Sequence, residues 1–314
     1  SKAKAGLMPL TEANLPGNAS DLMQVSSTAC GYAPGSADSV DLLVNGVQTY
    51  DALLAEFALA NHHIHLEYYI FEPDSTGTRI RDALAVQARR GVKVRLLLDR
   101  LGSKKVDEAF LRPLREAGAE IEFFHPYFFK RLWRPQINQR SHRKIVVIDG
   151  RIGFTGGINI TDTENEALRD DAYVDLHFRM RGEIVRWLQL AFVADWLYSG
   201  GAFVADSVYF PTPSENAGPI AAQVLAAGPD TPLEPIHRAQ VFAINAARKR
   251  ILLVTPYFVP SESAMMALTS AALRGVDTAL VVPRNSDNPL VTLAARSYFD
   301  DLARAGVRVY EYPR

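Results

Sequence analysis

A histidine and a lysine two residues apart, His142 and Lys144, stand directly before four aliphatic residues, Ile145-Val146-Val147-Ile148. Such a run reads as a strand buried on both faces, and period-two alternation sends His142 and Lys144 to the same side. A nucleophilic imidazole and a cation then converge on one spot. The strand closes at Asp149-Gly150, a strong hairpin signal, and the return run leads into Gly156-Gly157-Ile158-Asn159. The two glycines let backbone amides approach an anion, and Asn159 adds a side-chain donor. The chemistry these types support is attack by His142 on a phosphodiester, giving a covalent phosphohistidine and splitting one hard displacement into two easier ones. Lys144 and Asn159 would neutralise the nonbridging oxygens as charge builds. Asp149 is explained by the turn it occupies and is counted as a motif residue, not a reacting one.

A histidine nucleophile also needs a partner that fixes its tautomer and orientation. The segment 173–182 alternates as a half-exposed strand with Asp175 and His177 on its polar face, whereas Asp170 and Asp171 read as loop charges. None of the other histidines, at 62, 63, 65, 125, 177 and 237, has a lysine two residues on. The single Cys30 excludes an intramolecular disulfide and any multi-cysteine zinc cluster, and no HExxH, Walker or Rossmann glycine pattern occurs. No metal and no cofactor are expected.

The elements that must position these groups alternate between helix and strand. A helix around 51–57 leads to a strand at 64–71. Helices near 77–90 and 107–117 are separated by a strand at 92–98 and followed by one at 120–124. The order points to an α/β sheet, largely parallel and covered by helices. The pattern then repeats: the strand at 250–258 answers 64–71, Leu273-Arg274-Gly275-Val276 answers Arg89-Arg90-Gly91-Val92, and Ala305-Gly306-Val307 answers Ala117-Gly118-Ala119. A period this long is an internal duplication and not a solenoid. The 314 residues suffice for two halves, and a net charge of −1 gives no global attraction to nucleic acid or anionic membrane. No run of about 18 apolar residues occurs.

His142-x-Lys144-x4-Asp149 with Gly156-Gly157-x-Asn159 resembles the HKD motif of the phospholipase D superfamily. Its extended form, Arg140-Ser141-His142-Arg143-Lys144 through Thr155-Gly156-Gly157-Ile158-Asn159, looks most like the bacterial cardiolipin synthase branch. Glu67-Tyr68-Tyr69-Ile70-Phe71 with Asp74, Phe192-x-x-Asp195-Trp196, Ala227-Gly228-Pro229-Asp230 and Thr255-Pro256-Tyr257-Phe258-Val259-Pro260 resemble other signatures of that branch. The resemblance implies an α/β fold of two phospholipase D-like halves related by a pseudo-twofold. Each half is expected to be a mixed, mainly parallel sheet flanked by helices. The expected organisation is an irregular lead-in over 1–36, a first half over 37–198, a linker over 199–219 and a second half over 220–314. The second half is expected to stop short of its own HKD motif, and the chain to begin after a membrane segment.

By the same resemblance, a carboxylate at the start of the 173–182 strand supports the catalytic histidine, which makes Asp175 the candidate. The implied activity is phosphatidyl transfer between phosphatidylglycerol molecules through a phosphohistidine. A hydrolytic phospholipase or nuclease using water, and a noncatalytic lipid-binding fragment, stay open as alternatives. With no second motif, the chain alone is expected to be inactive or nearly so. The segment 123–134 interleaves aromatics with cations and suits either a lipid headgroup boundary or a nucleic-acid backbone; the resemblance favours lipid and disfavours nucleic acid. The expected partners are a phospholipid substrate and a membrane surface, at the cytoplasmic face of a bacterial inner membrane. The oligomeric state is left open.

Overall fold

The computed structural model describes residues 19–124, 141–204, 206–212, 218–228, 231–286 and 288–313. They fall into two units, one holding Tyr32–Asp230 and the other Thr231–Arg314 with 19–31. In the first unit the order is β1 (Gly35–Ala37), β2 (Ser39–Val44), α2 (Asn45–Leu59), β3 (His63–Tyr68), α3 (Ser75–Arg89), β4 (Lys93–Asp99), α4 (Glu108–Glu116) and β5 (Glu120–Phe124). Next come β6 (Ile145–Ile148), β7 (Ile152–Gly156), β8 (Leu176–Arg181), α5 (Val185–Tyr198) and β9 (Ile220–Ala222). The second unit holds α1 (Ala19–Cys30), α6 (Pro235–Ala246), β10 (Arg250–Val254), α7 (Glu262–Leu273), β11 (Asp277–Pro283), α8 (Pro289–Arg296), α9 (Phe299–Arg304) and β12 (Arg308–Tyr312).

Seven strands form the main sheet in the order β2-β8-β7-β6-β3-β4-β5. It is mixed, as expected, but it is not mainly parallel. Only β3, β4 and β5 run parallel, while β2, β8, β7, β6 and β3 pair antiparallel in turn. Helical crossovers through α3 and α4 supply the long connections that parallel neighbours need; β6 and β7 are joined by a two-residue hairpin, which can only reverse the chain. All four residues of β6 are buried. Val146 and Ile148 pack with Ile64, Leu66 and the apolar faces of α2, α3 and α4. Ile145 and Val147 face the other way, onto Leu188, Phe192 and Trp196 of α5.

The polar face of the strand β8 is half-exposed, as its alternation predicts. Arg179 and Arg181 stay partly exposed and both reach Glu56 of α2, at 3.0 and 2.6 Å, whereas His177 is fully buried. The 1–36 lead-in contains a helix, α1. The boundary between units also falls later than the Pro-rich stretch at 199–219, because β9 pairs antiparallel with β1 and Tyr209 packs into the first unit's core.

The second unit repeats β3-β4-β5 as the parallel sheet β10-β11-β12. In the first unit His63 pairs with Lys93 and Arg95 with Glu120; in the second Arg250 pairs with Asp277 and Ala279 with Arg308, a stagger of two residues in both. The glycines that end the preceding helices match as well. Gly91 and Gly118 have φ of 92° and 91°, and Gly275 and Gly306 have 89° and 93°, the left-handed closing conformation that favours glycine.

Candidate active site

The hairpin that carries the site is closed by Asp149 and Gly150, at φ of 53° and 65°, the pair of positive φ values a type I′ turn requires. Asp149 is fixed there by three amides. Its Oδ2 accepts from Asn61 N at 2.9 Å, and its Oδ1 from His62 N at 2.8 Å and His63 N at 2.9 Å. Against the opposing effect of burial, these bonds hold its carboxyl below the usual range. It stands at the opposite end of β6 from Lys144, roughly 16 Å away along an extended strand.

At the near end, His142 is exposed and its ring stacks on Tyr69, with centroids 3.7 Å apart and 21° between planes. Lys144 is buried; its Nζ donates to the His142 carbonyl at 3.0 Å and lies 5.6 Å from the Tyr69 ring centroid. The two residues therefore meet on one aromatic platform, Tyr69, which the sequence marked only as part of the Glu67-Tyr68-Tyr69-Ile70-Phe71 signature and not as a partner of His142. Burial lowers the Lys144 pKa, and the carboxylates of Glu164 and Asp175 pull it back up.

Asn159 is locked from three sides. Its backbone N–H and Nδ2 donate to the two oxygens of Glu164, both at 2.7 Å, and its Oδ1 accepts from Ile70 N at 3.2 Å. Glu164, in a 3-10 turn at Asp162–Glu164, was missed by sequence reasoning. Its position five residues after Asn159 was the available signal. Burial raises its pKa, opposed by the Asn159 bonds. The turn is tied to α3 by Asp74, which caps Gly77 N at 2.9 Å and accepts from Asp162 N at 2.6 Å.

Asp175 lies just before β8 and is exposed. Its Oδ1 accepts from Leu176 N at 2.7 Å, and its own N–H donates to Asn45 Oδ1 at 3.3 Å. Its carboxylate rests against Gly157 so closely that a Cβ there would overlap both oxygens. His177 pairs across the sheet with Gly156. With neither ring nitrogen hydrogen-bonded, it is pushed down to about 3 by burial and then by the charge on Lys144. Thus His142, Lys144, Asn159 and Asp175 gather at one end of the sheet, and Asp149 braces the other. Phe192 and Trp196 are core residues, stacked 5.8 Å apart. Of the aromatic and basic stretch at 123–134, Phe123 and Phe124 belong to β5 and residues 125–134 lie outside the described residues.

Among the described residues, no group of three or more His, Cys, Asp or Glu is placed to hold a metal ion, and no helix is long and apolar enough to cross a membrane. What the arrangement offers is an exposed imidazole, a buried cation and the Asn159 side-chain amide, groups of the types able to attack and hold a phosphoryl group, while the Gly157 and Asn159 backbone amides expected to face an anion are engaged by the Leu176 carbonyl and Glu164.

The model of the family described as cardiolipin synthase, PLD-like domain, matches residues 53–196 and 241–314. A cardiolipin synthase of Alkalihalophilus pseudofirmus is 43% identical over 278 residues, 87% of this chain and 54% of the relative. One from Geobacillus kaustophilus is 42% identical over 285 residues, 88% of this chain and 56% of the relative. The chain spans about half the length of the curated relatives it matches. Among solved structures, the phosphatidylserine synthase of Haemophilus influenzae Rd KW20 shares the fold at 11% identity and a TM-score of 0.61, covering 93% of this chain and 77% of that one. With the family's domain matched over both units and the HKD hairpin built into the first, the chain belongs to the cardiolipin synthase family of phospholipase D-like proteins.

Proposed function

We propose that His142 is the nucleophile of a phosphatidyltransferase of cardiolipin synthase type, acting on phosphatidylglycerol at the cytoplasmic face of a bacterial inner membrane. The observation that carries this reading is the convergence of His142 and Lys144 on Tyr69, beside the Gly156-Gly157-Ile158-Asn159 turn. A ring nitrogen of His142 attacks phosphorus, a P–N bond forms, and the P–O bond to the glycerol headgroup breaks, the departing oxygen taking a proton from a general acid. The hydroxyl of a second phosphatidylglycerol then attacks phosphorus and gives its proton to the conjugate base of that general acid; the P–N bond breaks and imidazole is restored. The products are cardiolipin and glycerol. Lys144 neutralises the phosphoryl oxygens, since the Gly157 and Asn159 amides are engaged by the Leu176 carbonyl and Glu164. Asn159, held by Glu164, presents its remaining amide hydrogen to the same charge, and Asp175 supports the charged state of the site.

The first step is testable by itself with bis(4-nitrophenyl) phosphate, because nitrophenolate leaves without a proton. The expected result is a burst of one equivalent of nitrophenolate per chain, with phosphorus retained on His142, and no burst in His142→Gln. A folded chain that acquires no phosphorus on His142 refutes the reading and leaves lipid binding alone. With phosphatidylglycerol vesicles, cardiolipin marks an alcohol acceptor and phosphatidate marks water.

A further inference from the structure

His142 is held through its two neighbours. Alternation turns Ser141 and Arg143 to the side of the sheet opposite His142 and Lys144, and there both meet acids. Ser141 Oγ donates to Glu67 Oε1 of β3, and Arg143 Nη1 pairs with Asp195 Oδ2 of α5. Arg143 Nη2 also donates to the Ala227 carbonyl at 3.1 Å. Glu67 is 1% exposed and Ser141 4%, so the bond between them is made away from water, while the Arg143–Asp195 pair is partly exposed. Two positions that the catalytic chemistry leaves idle, the glutamate of β3 and the aspartate of α5, thereby act on the same three-residue segment.

We propose that Glu67 and Asp195 are positioning residues for His142, a carboxyl pair on two separate elements that clamps the residues on either side of it and fixes its ring on Tyr69. The proposal rests on the reading of His142 as nucleophile. Burial first, and then the adjacent Asp195, raise the Glu67 pKa well above the carboxylate range; its Oε1 accepts from Ser141, and its Oε2 is buried without a hydrogen-bond partner. Asp195 pairs with Arg143 across the gap between α5 and the segment. A glutamine keeps the shape of Glu67 and an oxygen that accepts from Ser141. A leucine keeps the volume and loses that bond.

The test compares Glu67→Gln with Glu67→Leu in the full chain, reading the nitrophenolate burst rate and the ring NMR signals of His142 in histidine-labelled protein, assigned by their loss in His142→Gln. Misplacing an attacking atom by about 1 Å costs on the order of 100-fold, so Glu67→Leu is expected to slow the burst by that factor while Glu67→Gln stays within about threefold. The His142 signals should move or broaden in Glu67→Leu and match the unmodified protein in Glu67→Gln. Should Glu67→Leu fail to fold, Ser141→Ala removes the hydroxyl between Glu67 and the segment and is read by the same two measurements. Unchanged rate and signals in the leucine or alanine variant, or a glutamine variant as impaired as the leucine one, overturn the proposal. A chain with no burst at all refutes His142 as nucleophile, and the ring signals still decide whether the clamp positions it.

Discussion

Acid should destabilise the first unit before its carboxylates titrate. His63 and His177 are each pushed down to about 3, mainly by burial, with a further push from His62 and from Lys144 respectively. In the unfolded chain both return to about 6.5. The folded state therefore binds fewer protons than the unfolded one throughout this interval, and stability that is complete above pH 6.5 is lost as pH falls toward 3. At pH 5 each ring withholds a proton it would otherwise bind with 1.5 pH units of driving force, about 2 kcal/mol at 1.36 kcal/mol per unit, or roughly 4 kcal/mol for the pair. That is a large part of the stability of an ordinary domain. The measurement is a denaturant titration at pH 7.5 and 5.0 followed by tryptophan fluorescence, since Trp133, Trp187 and Trp196 all lie between residues 32 and 230. Replacing His177 by Leu should shrink the difference between the two pH values by about 2 kcal/mol, whatever it does to stability at pH 7.5. An unaltered difference in His177→Leu would show that His177 is protonated, or solvated, in the folded chain, and would refute the argument.

Gly157→Ala would drive a methyl into the Asp175 carboxylate; we expect a loss of about 1–3 kcal/mol by denaturation and a slower burst, with the loop displaced. In Glu164→Gln one of the two anions that raise the Lys144 pKa is gone, so the basic limb of the pH–rate profile for the burst should move to lower pH. A limb that stays in place means that Lys144 does not control it. Asp149→Ala leaves the amides of Asn61, His62 and His63 without their acceptor and should cost about 2–3 kcal/mol, read as a lower denaturation midpoint.

Much of the scaffold was legible in residue types. The β6 run, the Asp149-Gly150 hairpin and the repeat of strand, helix and glycine landmarks are local signals, and local signals survive in a sequence without its fold. The site's hairpin was legible for the same reason: His142 and Lys144 are two apart on one extended segment, which sends them to one face whatever packs around it.

Partners brought in from other elements were not legible. Tyr69 lies more than 70 residues before His142 and meets it only because β3 and β6 pair antiparallel in a particular register. His177 read as a polar residue of a half-exposed strand, and only the packing around it buries its ring fully while Arg179 and Arg181 beyond it stay partly exposed beside Glu56 of α2. The antiparallel share of the sheet was hidden because strand composition does not record neighbour direction. Sequence by itself determined the order of elements, the hairpin and the pair of residues suited to phosphoryl chemistry. The tertiary structure decided what surrounds that pair: Tyr69 beneath the ring, Glu164 behind Asn159, and Glu67 with Asp195 behind Ser141 and Arg143. Each of those contacts joins segments far apart in the chain, and strand register and helix packing bring them together.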